Sequence, residues 1–131
     1  MNITRREARA QLGAQSFSLV DAQGAMASLD ACLLSAKCFR LESAAGDIVF
    51  ALEFSQGEAW VTVAAGPTAC PMSPALDAAL VALARMHSCT SLGFQTARRG
   101  LVRVAGRLGW RITCPLPNGW QMERAVDEPA T

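Results

Sequence analysis

The sequence predicts one α+β domain, a mixed sheet with helices on its faces. Three observations predict it. Between residues 38 and 65, three short segments of alternating apolar residues follow one another across links of hairpin length. From Ser73 to Gly109 the pattern changes to helix, short strand, helix. The chain then closes with two strand-like segments around the turn Pro115-Leu116-Pro117-Asn118-Gly119. Meander strands followed by strand–helix alternation imply a mixed sheet. At 131 residues there is chain for one domain with a real core, 1–131. The core is expected over about 16–125, and the polar ends 1–6 and 127–131 are expected to fray.

Each element has a local reason. A short helix fits residues 4–11, and alternation makes 16–20 a strand. Met26, Leu29, Leu33 and Ala36 recur at helical spacing over 25–36. The meander comprises 38–42, 47–54 and 58–65. In the second of these, Ile48, Phe50, Leu52 and Phe54 share one face and Val49, Ala51 and Glu53 the other. In the third, Ala59, Val61 and Val63 oppose Trp60, Thr62 and Ala64. Ser73 suits a helix cap and Pro74 the first helical position. Leu76, Leu80, Leu83 and His87 then line one face of a helix to about residue 88. Residues 91–95 form a buried strand through Leu92 and Phe94. Thr96 is placed to cap a second helix, with Leu101, Val104, Ala105 and Leu108 inward and Gly109 ending it. Residues 110–114 and 120–124 complete a hairpin.

Composition excludes several function classes. The chain is 51% hydrophobic and 18% charged, which argues against disorder. No segment is long and apolar enough to span a bilayer, and the polar start Met1-Asn2-Ile3-Thr4-Arg5-Arg6-Glu7 has no following apolar region of a secretory signal. Five cysteines, at 32, 38, 70, 89 and 114, form no C-x-x-C pair. They are expected as reduced, buried thiols in a cytoplasmic protein without a metal site. One His and no Tyr leave few groups for acid–base work near neutral pH.

The order strand, helix, meander, helix, strand, helix, hairpin resembles the GNAT acetyltransferase superfamily. The local match runs through Leu92-Gly93-Phe94-Gln95-Thr96 and Leu101-Val102-Arg103-Val104-Ala105-Gly106-Arg107-Leu108-Gly109-Trp110, with Gln121-Met122-Glu123-Arg124 similar to the usual final strand. The whole also looks like small GNAT-like proteins of tailed phages and prophages. The resemblance implies an acetyl-CoA loop between the fourth strand and the next helix, where free backbone amides face a pyrophosphate. Here that stretch would offer Gly66, Thr68, Ala69, Cys70 and Ser73 as cofactor-binding residues. It lacks the family's glycine spacing, and Pro67 and Pro71 remove N–H donors. The Tyr that protonates the leaving thiolate in many members has no counterpart. Glu53 and Glu58 are carboxylates on the central strands, both beside hairpin turns and expected as solvated charges. The resemblance also implies a discriminating feature between the fourth and fifth strands: an open V-shaped cleft with free amides in an enzyme, a cleft filled by side chains or by residues 67–72 in a scaffold.

Charge placement supplies the remaining clue. The net charge is +1, yet Ala78 to Met122 holds Arg85, Arg98, Arg99, Arg103, Arg107 and Arg111 and no acid. Arg99, Arg103 and Arg107 recur at i, i+4, i+8 as a stripe on the last helix. With Arg98 they are candidate contacts to an acidic partner. His87 is expected as a packed residue at a helix end, Trp60, Trp110 and Trp120 as core or sheet-face residues, and Cys70 and Cys114 as unreactive. No catalytic residue is assigned. The expected function is a non-enzymatic, phage-encoded structural or assembly protein, cytoplasmic or virion-borne, using no cofactor. It would contact itself or an acidic phage protein, with no membrane or nucleic-acid role. The alternative is a divergent N-acetyltransferase using acetyl-CoA.

Overall fold

The computed structural model describes residues 2–4, 6–8, 10, 36–42, 46–66 and 72–126. The strand expected at 16–20 and the helix expected at 25–36 lie outside the described residues. Strands β1 (Asn2–Ile3), β2 (Lys37–Leu41), β3 (Ile48–Ser55) and β4 (Glu58–Ala65) precede helix α1 (Pro74–Met86). Strand β5 (Ser91–Thr96), helix α2 (Arg99–Arg107), β6 (Arg111–Leu116) and β7 (Gly119–Ala125) follow. The described strands form one seven-stranded sheet in the order β1-β2-β3-β4-β5-β7-β6, with β4 and β5 parallel and the other neighbours antiparallel.

The polar N-terminal end, expected to fray, carries a short strand. Asn2 and Ile3 pair with Phe39 and Cys38. Thr4 and Glu7 then close a capping box, the Glu7 amide donating to Thr4 Oγ1 at 3.1 Å and the Thr4 amide to Glu7 Oε1 at 3.4 Å. Residues 6–8 and 10 are helical, within the expected 4–11.

Ser73 and Pro74 start α1 as expected, with Ser73 Oγ accepting from the Leu76 amide at 3.2 Å. Both helices end in Schellman motifs. In α1, Cys89 N–H reaches Ala84 O at 2.8 Å and Ser88 N–H reaches Arg85 O at 3.1 Å. In α2, Trp110 N–H reaches Ala105 O and Gly109 N–H reaches Gly106 O. Each motif needs one residue at positive φ. Gly109 meets it at 97° without a side chain, whereas Ser88 meets it at 57° against its own Cβ. At the start of α2 the expected Thr96 cap is displaced. Arg98 occupies the N-cap without a side-chain hydrogen bond, and Thr96 Oγ1 instead accepts from the Arg98 amide at 3.0 Å.

The helices share one face of the sheet. Phe39, Phe50, Leu92, Phe94 and Met122 pack there beneath Leu76 and Leu80 of α1 and Leu101 and Ala105 of α2. Cys38, Val49, Ala51, Val63 and Ala65 form a second apolar cluster with Ala8. This corrects one expected face. Strict alternation places Val63 with Ala59 and Val61, but β3–β4 pairing skips from Ala51–Val63 to Leu52–Val61. The extra residue, Thr62, is a β-bulge that shifts the pleat, so Ala64 joins the helix-side core and Val63 the other cluster.

One buried polar group ties these parts together. Arg124 Nη1 on β7 donates to Asp77 Oδ2 at 2.8 Å and Oδ1 at 3.0 Å, and Trp110 Nε1 donates to Oδ1 at 2.8 Å. Asp77 is 5% exposed and Arg124 4%. Arg124 also donates to Leu108 O, the C-cap carbonyl of α2. The carboxylate thus sits in the first turn of α1 and the guanidinium at the end of α2, each at the helix end whose dipole favours it. Removing one partner leaves an uncompensated buried charge.

Asp77→Ala or Arg124→Met should therefore cost about 3–5 kcal/mol in urea unfolding, while Asp77→Leu/Arg124→Met together should cost less than the two singles summed. Ser88→Gly should raise stability by up to about 1 kcal/mol by relieving the positive-φ side chain. An unchanged urea midpoint would contradict that.

Candidate functional site

The parallel pair β4–β5 is the break in the sheet. It is laddered only over Glu58–Ser91, Ala59–Leu92 and Trp60–Gly93. Past Trp60, β4 pairs with β3, while β5 from Phe94 pairs with β7. The strands therefore part, and the Thr62 bulge lies on the diverging half of β4. Close approach at the last shared pair is permitted by Gly93. A Cβ there would come within 2.4 Å of the Trp60 ring.

On the helix side this wedge is filled. Val61 and Ala64 of β4, Phe94 of β5, Met72, Leu76 and Leu80 before and within α1, and Leu101 of α2 line a cavity of about 10 Å³. That is room for no more than one water. Every described lining side chain is apolar. A larger apolar groove of about 520 Å³ lies elsewhere, between Asn2, Phe39 and Phe50 and the α1 residues Leu83 and Met86.

Of the five expected cofactor-loop residues, Thr68, Ala69 and Cys70 lie outside the described residues. Gly66 directly follows β4, where a Cβ would meet Ile48 Cγ1 at 3.0 Å, so its smallness serves packing. Ser73 uses its hydroxyl oxygen on the α1 cap.

No family model matches the sequence, and no curated protein does. A crystal structure described as a "putative phosphinothricin N-acetyltransferase" superposes with a TM-score of 0.55 over 98% of each chain, at 12% identity. The fold is that of the GNAT acetyltransferases. The expected GNAT-like α+β architecture is thus observed, and at this identity the likeness concerns fold alone.

None of the described residues lining the wedge is titratable. His87, the C-cap of α1, stacks on Phe54 at 3.9 Å, and its Nδ1 lies 2.9 Å from Leu83 O and its Nε2 3.5 Å from Lys37 Nζ. It is the packed helix-end residue that the sequence suggests. Cys89 is buried, and burial pushes its thiol pKa up, with the charge of Glu58 adding to the effect. That is the opposite of an activated nucleophile. Cys114, expected buried, is exposed on β6. Among the described strands β6 is at the edge of the sheet. Among the described residues, no group of three or more His, Cys, Asp or Glu is placed to hold a metal.

Glu53 is exposed as expected, but Glu58 is not a simple solvated charge. It is half-buried and faces Glu123 of β7 across β5, and Ser91 Oγ donates to Glu58 Oε2 at 3.4 Å. Partial burial raises its pKa, helped by the charge of Glu123 and a hydrogen bond between the two carboxyls. Glu123 moves down, chiefly because Thr113 Oγ1 donates to it at 2.7 Å, with Gln121 Nε2 adding a bond at 3.0 Å. Thr113 is the extra residue of a bulge in β6. The sequence places these groups on separate strands and gives no sign that β5 brings them together.

The arginine stripe is on the surface. Arg99, Arg103 and Arg107 are exposed, whereas Arg98 is half-buried at the N-cap. The Arg99 guanidinium lies 6.0 Å from the Trp120 ring centre. Among the described residues, Arg103 and Arg107 have no ion-pair partner. Helix α2 works against itself locally. The i, i+4 arginines repel by a few tenths of a kcal/mol per pair. Arg98 and Arg99 oppose the N-terminal dipole. Gly100 and Gly106 each weaken the helix by about 1 kcal/mol relative to Ala.

The Glu58–Glu123 pair makes stability depend on pH. A carboxyl with a raised folded pKa keeps a proton that the unfolded chain has released. Glu58 therefore lowers stability as pH rises from about 4.5 through its folded value. Glu123 acts below 4.5, where its contribution is lost as pH falls through its lowered value. Glu58→Gln should flatten the loss of stability above pH 4.5 in urea melts. An unchanged slope would contradict the coupling.

Proposed function

We propose that this chain is a GNAT-fold protein that acts by binding another protein and does not transfer acetyl groups. The observation that carries this is the filled wedge between β4 and β5. Pockets for small molecules and cofactors run to roughly 300–1,000 Å³, against about 10 Å³ here. Met72, Phe94 and Leu101 pack together among the described residues of the wedge, and the space they leave does not fit the thioester arm of acetyl-CoA. The described residues of the wedge lining also supply no proton donor or acceptor, and the sequence has no Tyr. The unpaired arginines of α2 give the binding reading its surface. The phage and virion setting stays an implication of the sequence resemblance.

Two observations favour the second reading, an acetyl-CoA-dependent N-acetyltransferase. The parting of β4 and β5 is retained, and the neighbour in fold is described as an N-acetyltransferase. Isothermal calorimetry with acetyl-CoA separates the two. No heat of binding is expected up to millimolar ligand. A micromolar Kd would overturn the proposal, and ligand at 100 times that Kd would stabilise the fold by about 2.7 kcal/mol.

A further inference from the structure

The two glycines of α2 have no role in the fold. Neither Gly100 nor Gly106 adopts a positive φ, and a Cβ at either would meet nothing within 4 Å. At 100° per residue, Gly106, Arg99, Arg103, Arg107 and Gly100 fall within one outer sector of about 120°. The inward positions Leu101 and Ala105 are buried on the opposite side. The outer face therefore consists of three guanidiniums flanked by bare backbone. A helix that gives up propensity and accepts like-charge repulsion without a fold-level gain is built for something outside it.

We propose that this face of α2 is a docking surface for an acidic helical segment of a partner protein, held by successive Arg–carboxylate pairs. The inference rests on the protein-binding reading above and names the partner's chemistry. The three arginines span roughly 12 Å with a repeat of about 6 Å, the repeat that carboxylates at i, i+4 present on a second helix. Forked guanidiniums match carboxylates in bidentate geometry. The flanking glycines let the partner's backbone approach closely. Ile112, 50% exposed, pairs with buried Met122 and so lies on the helix-bearing side of edge strand β6, where it offers an apolar contact. A nucleic acid is disfavoured. Three cations give few phosphate contacts, the net charge is only +1, and Trp120 is already engaged by Arg99 instead of standing free for base stacking.

The test uses the full chain and a fluorescent 15-residue helical peptide with Glu at i, i+4 and i+8, read by anisotropy. The peptide is expected to bind at 20 mM salt and to weaken at least tenfold by 200 mM. Arg103→Glu/Arg107→Glu should weaken it a further tenfold or more with an unchanged circular dichroism spectrum. Gly106→Ala should raise Tm yet weaken binding several-fold, which simple charge attraction does not predict. Binding indifferent to the charge reversal, or a Gly106→Ala variant that binds equally well, would overturn the proposal. So would tighter binding of a single-stranded oligonucleotide of equal charge. Acetyl-CoA in a parallel titration keeps the two readings apart. Binding of acetyl-CoA with peptide binding intact defeats only the proposed function, and absence of both defeats only the docking surface.

Discussion

The arrangement of both helices on the sheet depends on one buried ion pair. Asp77 and Arg124 are nearly inaccessible, and their bond links the first turn of α1 to strand β7. Arg124 reaches on to the last carbonyl of α2, and Trp110 pins the same carboxylate from the α2–β6 link. A buried pair is weak support for stability as such, since apolar residues of equal volume often do as well. What it supplies here is position. A carboxylate and a guanidinium in a dry interior must meet in one geometry, and meeting fixes α1 and α2 relative to each other. Trp110 then packs against Phe94 at 4.9 Å, bringing β5 into the same unit.

That positioning decides what becomes of the gap between β4 and β5. The parallel ladder ends at Trp60–Gly93, so the two strands must separate. Separation opens space under the helices. Because Asp77 is one residue beyond Leu76 and three before Leu80, holding Asp77 drives both leucines into that space. Leu101 enters from α2 and Met72 from the approach to α1. The wedge thus becomes core. The sequence resemblance implies a ligand's place in an open wedge, and here the described side chains at that position are apolar and packed. The surface is where this chain spends its unexplained chemistry, in a short helix that is poor by local rules and carries unpaired arginines.

Much of this architecture is legible in the sequence, and the parts that are not have physical reasons. The meander, the Ser73-Pro74 helix start and the Gly109 stop follow from local patterns that tertiary structure leaves intact. The faces of β3 are readable because its alternation is unbroken. Those of β4 are not, because a bulge at Thr62 resets the pleat and no residue type announces it. The Schellman turn that closes α1 is not announced, because Ser88 occupies a position that glycine normally marks. The ion pair is invisible because Asp77 and Arg124 are 47 positions apart and each looks like an ordinary surface charge. The Glu58–Glu123 pair is hidden for the same reason, since only the insertion of β5 beside β7 brings them together. The exposed stripe on α2, by contrast, is a helical period and is plain in one dimension.

The central claim is that the space between β4 and β5 is packed interior. Nuclear magnetic resonance of the labelled chain during an acetyl-CoA titration tests it most directly. The account predicts that signals of Val61, Ala64, Met72, Phe94 and Leu101 stay in place at millimolar ligand. Saturable shifts of those five residues would contradict it and return the wedge to the role of a binding cleft.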